Sequence, residues 1–248
     1  MDNARLAEGL HHHTAGFADA VENADPDAKV PTCPEWPLRV LTGHVGQEHR
    51  WAASIIRSGP SPVPDPFDAD PGSPAKWSDW LREGAEDLED AVQAAGDTPV
   101  WTFFGPQPAR FWLRRMLHDT TVHHADAALA AGTPFTVAPD LAADAISEWL
   151  ELLSDSVTAS LKPDFAELCG TGQTILMDPG AGPGWLITRT PEGVRWTRAT
   201  EATEAADVTL TGPVQDLLLV FTRRLPADRV TITGDRALAG HWLAHTAA

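Results

Sequence analysis

Arg114-Arg115-Met116-Leu117-His118-Asp119-Thr120-Thr121-Val122-His123-His124-Ala125-Asp126-Ala127 is the stretch on which the reading of this chain turns. Phe111, Leu113, Met116, Leu117, Val122, Ala125 and Leu129 recur at helical intervals, and no Gly or Pro interrupts Phe111 to Ala131, so the spacing predicts a helix. Residues three and four apart share a helical face. Asp119 and His123 can therefore converge on one point, with Asp126 one turn further along. A bundle helix offers a carboxylate and an imidazole to a single metal ion in this way. Taken alone, an Asp-x-x-x-His pair reads more readily as a solvated polar face; a third ligand from another helix is what separates the two readings.

That other helix is predicted from about Leu38 to Ile56, with Val40, Leu41, Val45, Trp51, Ala52 and Ile55 on its apolar side. His44, set among Leu41, Gly43 and Val45, is expected to point inward. A lone inward histidine is commonly a core residue. Joined to Asp119 and His123 it completes three N/O ligands with one open position, the arrangement of a catalytic zinc. His49 lies roughly 140° round the helix from His44, so it is read as standing behind the ligands or at the rim. Upstream, residues 3–23 carry Leu6, Leu10, Phe17, Ala18 and Val21 at helical spacing. His11, His12 and His13 fall inside that helix but span roughly 200° of it, so all three cannot face one ion. They are expected to form a solvated or partly buried polar patch.

Between these helices, Val30-Pro31-Thr32-Cys33-Pro34-Glu35-Trp36-Pro37 reads as a stiff extended segment, because each proline fixes its own φ and restricts its predecessor. Ser58 to Ser73 is a long loop rich in Pro, Gly, Ser and Asp. A third helix follows from Pro74 to Ala95, then an aromatic connection, Val100 to Pro106, leading into the Asp119 helix. A fifth helix is predicted over Asp140 to Leu161. Beyond about residue 165 the texture changes to short β-branched runs parted by Gly, Pro and Asp: Thr174–Met177, Gly184–Arg189, Gly193–Arg198, Ala206–Leu210 and Val230–Asp235. These predict an antiparallel meander, with an apolar helix at Val214 to Arg223 and a terminal helix at Arg236 to His245. The expected fold is α+β in two domains, a helical bundle over 1–162 and a small α+β domain with an antiparallel sheet over 163–248.

Composition limits the function. The formal charge of -17, with no Lys/Arg-rich run as a local exception, argues against a phosphate-backbone partner, so no nucleic acid is expected. Cys33 and Cys169 lie far apart without a C-x-x-C, which indicates neither a disulfide framework nor a cysteine zinc site. No apolar run approaches a membrane span and the first residues do not form a signal peptide, so a cytoplasmic location is expected. The oligomeric expectation is a monomer or a dimer.

Val30-Pro31-Thr32-Cys33-Pro34-Glu35-Trp36, then Leu41-x-x-His44-Val45-Gly46-x-x-His49-Arg50-Trp51-Ala52, then His118-Asp119-x-x-x-His123-His124-Ala125-Asp126-Ala127 resemble the mycothiol-dependent maleylpyruvate isomerase family. Asp207-Val208-Thr209-Leu210-Thr211-Gly212-Pro213, Asp216–Leu219, Arg223-Arg224-Leu225 and Thr233-Gly234-Asp235 resemble its second domain. The resemblance implies a DinB-like four-helix bundle followed by a sterol-carrier-like α+β domain. It also implies a divalent metal, usually zinc, held by a His on the second helix and a Glu-x-x-x-His on the later one. Those positions are His44, Asp119 and His123, with Asp119 standing where the family has glutamate. The implied thiol is mycothiol, a sugar-linked cysteine thiol of actinobacteria, for which His49, Arg50 and Trp51 are candidate contacts, although Trp51 reads equally well as core.

A thiol attacks as thiolate, and coordination to zinc would supply that form at neutral pH. Addition to an electrophilic alkene or epoxide gives an S-conjugate; addition, bond rotation and expulsion give a cis/trans isomerase. Arg223 or Arg224 is the candidate for stabilising the charge that develops on the small-molecule electrophile, against the alternative of a plain surface arginine. Two other classes stay open: a metal-dependent hydrolase or amidase on the same ligands, needing no thiol, and a non-catalytic binding or regulatory module.

Overall fold

The computed structural model describes residues 1–155, 163–199 and 206–246. It divides into two compact units, Met1–Phe135 and Thr136–Ala248.

The first unit is a four-helix bundle of α1 (Asn3–Val21), α2 (Leu38–Ser58), α3 (Trp77–Ala95) and α4 (Arg110–Ala131). Asp2 opens α1 by accepting the Arg5 N–H at 2.9 Å, and Gly132 closes α4 in the left-handed conformation that glycine adopts without steric cost. α1 packs on α4 and α2 on α3, while α1 with α3 and α2 with α4 close the bundle. The apolar stripes meet in a core holding Phe17, Val21, Leu38, Leu41, Val45, Trp77 and Leu81. The proline-rich segment before α2 does more than extend: β1 (Lys29–Val30) pairs antiparallel with β2 (Cys33–Pro37), and Pro37 caps α2. A second short ladder, β3 (Pro99–Val100) with β4 (Gln107–Pro108), folds the aromatic connection back on itself. Its Trp101 and Phe103 pack against Trp112 and Trp51.

The second unit holds α5 (Pro139–Leu153), α6 (Val214–Phe221), α7 (Arg236–His245) and a five-stranded sheet. The strands are β5 (Thr174–Asp178), β6 (Gly184–Thr190), β7 (Gly193–Ala199), β8 (Val208–Thr211) and β9 (Thr231–Gly234), in the order β7-β6-β5-β8-β9. The mixed α+β class is as expected, but the meander is interrupted: β5 and β8 pair in parallel, Ile175 opposite Val208 through Asp178 opposite Thr211, and the other pairings are antiparallel. The sequence reading ended the helical half at residue 162, whereas compactness places the division at 135/136. The reason is α5, which packs on α6 and β7; its Ser147 hydroxyl accepts the buried Trp185 indole N–H at 3.0 Å. The regular helix ends at Leu153, and the rest of the predicted span to Leu161 falls largely in 156–162, outside the described residues. No helix among the described residues is long and apolar enough to cross a membrane.

Candidate metal centre

Within the bundle, α2 and α4 bring His44, Asp119 and His123 together, with one potential ligand atom from each lying within 4.8 Å of the others. His123 Nε2 stands 3.7 Å from Asp119 Oδ2. Two ligands of one tetrahedral ion with bonds of ~2.0–2.1 Å lie roughly 3.4 Å apart, so this pair needs little adjustment to share a cation. The side chains of all three are mostly buried yet reach solvent, at 15% for His44, 23% for Asp119 and 16% for His123. The rings of His44 and His123 meet edge to face, 5.2 Å between centroids.

Each ligand candidate has a neighbour that aims it. His123 Nδ1 donates to Asp126 Oδ2 at 2.9 Å, and the other oxygen of Asp126 accepts the Thr32 hydroxyl at 2.6 Å. A carboxylate can only accept, so Nδ1 carries a proton, and Nε2, which faces Asp119, is the ring nitrogen left to meet a cation. Arg115, one turn before Asp119, donates to Asp119 Oδ1 at 3.1 Å. Burial on its own would raise the Asp119 carboxyl, but His123, Arg115 and His44 outweigh it and hold the group at about 2, fully ionised. His44 is pushed down to about 4, first by burial and then by His123, so it is neutral and able to donate a lone pair. Its Nδ1 is buried without a hydrogen-bond partner. An orphaned imidazole nitrogen beside an ionised carboxylate and a second aimed imidazole fits a divalent cation of borderline softness, zinc above all.

Sequence reasoning missed Glu48, one turn after His44. It is buried, 3.9 Å from His44 Nδ1, and pushed up to about 8 by burial and then by Asp119, so it is a neutral acid at ordinary pH. The signal was present in the i, i+4 spacing from His44. Asp126, placed by spacing near the convergence point, serves instead behind His123.

His49 is buried, whereas Arg50 and Trp51 are partly exposed. His49 is 1% exposed, its Nε2 2.7 Å from the Thr120 hydroxyl. The Arg50 guanidinium lies 3.8 Å over the Trp80 ring and donates to the Gly46 carbonyl. Trp51 packs edge-on to Trp112, 5.2 Å between centroids. All three are taken up by contacts inside the bundle because they follow His44 round α2 onto faces covered by α3 and α4. The histidine run of α1 also departs from a polar patch: His11 pairs with Glu89, whereas His13 is fully buried with its Nδ1 3.1 Å from His124 Nδ1. In the second unit, Arg223 adopts φ 63° just after α6 and donates to the Ala244 carbonyl, and Arg224 donates to the Thr222 carbonyl.

Residues 7–128 match the model of a family described as the mycothiol maleylpyruvate isomerase N-terminal domain. Two crystal structures of a mycothiol-dependent maleylpyruvate isomerase, one of them a mutant, resemble the chain with a TM-score of 0.62 and 13% identity. The match covers 94% of this chain and 93% of each of theirs. At that identity the likeness is one of fold. No curated protein matches the chain.

Proposed function

We infer from the match of residues 7–128 to its N-terminal domain model that the chain belongs to the mycothiol maleylpyruvate isomerase family. From that premise we propose an enzyme that uses a low-molecular-weight thiol, mycothiol, and zinc or another divalent cation. Its substrate would be an electrophilic small molecule that it isomerises or joins to the thiol. The observation that carries this reading is the convergence of His44, Asp119 and His123, with one potential ligand atom of each within 4.8 Å of the others and all three side chains partly exposed. A bound cation would supply Lewis acidity that favours the thiolate form of a coordinated thiol. Asp126 keeps the His123 proton on Nδ1, and Arg115 occupies one oxygen of Asp119 while the other faces His123. Glu48 stands 3.9 Å from His44 Nδ1, one helical turn on, beside the residue that would hold the cation.

The decisive experiment combines metal analysis with turnover. His44→Ala and His123→Ala should each remove one equivalent of bound zinc while leaving helical circular dichroism intact. Cys33→Ser and Cys169→Ser should retain activity, since neither cysteine is in the triad. Omitting mycothiol should abolish it, and adding mycothiol should bring a sulfur scatterer to ~2.3 Å from zinc in X-ray absorption. Turnover without any thiol would favour the hydrolase reading, and unchanged zinc content in both histidine variants would remove the centre.

A further inference from the structure

The second unit carries another constellation of ligand type, which no step of the proposed reaction uses. Glu167, on the short 3₁₀ helix Pro163–Leu168, and His241 and His245, one turn apart on α7, place one potential ligand atom each within 4.8 Å of one another. We propose that these three residues form a second divalent-metal site, of the imidazole and carboxylate type that takes zinc, nickel or copper.

Two hydrogen bonds argue for it. One His241 ring nitrogen, Nε2, lies 2.8 Å from the Glu167 carbonyl oxygen, and His245 Nδ1 lies 2.8 Å from the His241 carbonyl oxygen. A carbonyl oxygen can only accept, so each of those nitrogens carries the ring proton. In a neutral ring the opposite nitrogen, Nδ1 of His241 and Nε2 of His245, is then the one that can bind a metal. Second-sphere acceptors on ligating histidines usually serve this purpose. The rings stand 4.5 Å apart between centroids, and the Glu167 carboxylate makes no hydrogen bond or ion pair among the described residues. A tether between the 3₁₀ helix and α7 would need only the His241 bond; the second imidazole and the uncommitted carboxylate have no part in it. Two imidazoles and one carboxylate would leave positions for water on a bound ion, so the site is open and exchangeable. Copper should bind tighter than zinc, following the general order for such ligands.

The test uses tag-free, metal-stripped, full-length protein titrated with Zn²⁺ against a chromophoric chelator. Wild type should bind two equivalents. The His241→Gln/His245→Gln variant should bind one, the His44→Ala variant one, and the three changes combined none. Glu167→Gln should weaken the second site at least ~10-fold, the lower end of what a lost partner costs a metal site. Because the three residues lie at or near the surface, the metal-free variants should keep the wild-type melting temperature. On unmodified protein, Zn²⁺ should slow carboxyethylation of His241 and His245 by diethyl pyrocarbonate. Wild-type stoichiometry and affinities in the double variant, or labelling rates at both histidines indifferent to Zn²⁺, would overturn the proposal. One equivalent in wild type, lost only in the double variant, would uphold this site while removing the bundle centre.

Discussion

His123 and Asp126 stand one helical turn apart on α4, with Nδ1 of the imidazole 2.9 Å from Oδ2 of the carboxylate, and the same carboxylate is tied by Thr32 from the β1–β2 hairpin. The proline-rich hairpin is thus connected to the candidate metal centre through two hydrogen bonds. Its stiffness has a use: Thr32 is held where its hydroxyl fixes the orientation of Asp126, and Asp126 fixes that of His123.

Asp126→Asn tests that chain. The amide keeps the volume and an acceptor oxygen but loses the charge that favours a protonated Nδ1. Metal affinity at the centre should fall ~10–100-fold, the usual cost of removing an outer-sphere partner. Chelator competition measures it, and an affinity within twofold of wild type would reject the orienting role.

Asp119→Glu should be tolerated. The longer acid is the residue the family resemblance places here, and it keeps the negative charge against Arg115, His123 and His44. Bound zinc should stay near the wild-type level, in contrast to Asp119→Ala. Equal loss in both variants would show that the surrounding pocket accepts only the shorter side chain.

Gly16→Ala should destabilise the bundle. A methyl at Gly16 on α1 would overlap the His124 imidazole on α4. Alanine improves helix propensity by ~1 kcal/mol, but overpacking a filled interior costs ~1–3 kcal/mol. His124 cannot easily yield, since it is packed against Phe135 and set 3.1 Å from His13. The steric cost should win, lowering the melting temperature by several degrees; a rise would mean that the helices can part locally.

The buried pair also predicts a pH dependence of stability. His13 is pushed down to about 3 by burial, then by His124, His12, His118 and Arg5, and His124 is pushed down to about 4 by burial and then His12. Both folded values lie below the unfolded value of 6.5, so the unfolded chain binds more protons between the two. Stability contributed by these neutral rings is complete above about pH 6.5 and is lost as pH falls towards 4, with a slope of up to ~1.4 kcal/mol per pH unit per proton. Chemical denaturation at pH 7, 6 and 5 measures it. His13→Leu should flatten the profile over that window, and an unchanged slope would assign the acid sensitivity elsewhere.

Much of this architecture could be read from neighbouring residues. Helical periodicity located α1 to α4, β-branched runs parted by Gly and Pro located β5 to β9, and the i, i+4 spacing put Asp119 and His123 on one face. The inward reading of His44 came from its apolar flanks. Glu48 followed the same rule and was overlooked, although it lies one turn after His44.

What adjacent residues could not settle was which distant partner each face would meet. His13 and His124 are 111 positions apart, and nothing local marks one histidine of a run of three as the buried member. The parallel pairing of β5 with β8 and the allegiance of α5 to the second unit are likewise choices among competing long-range contacts. So are the partners of His49, Arg50 and Trp51, which are Thr120, Trp80 and Trp112. Periodicity fixes the direction in which a side chain points from its own backbone, because that depends on local dihedral geometry. The neighbour it finds there depends on how whole faces pack to exclude water and void, and that free energy is shared across the assembled unit.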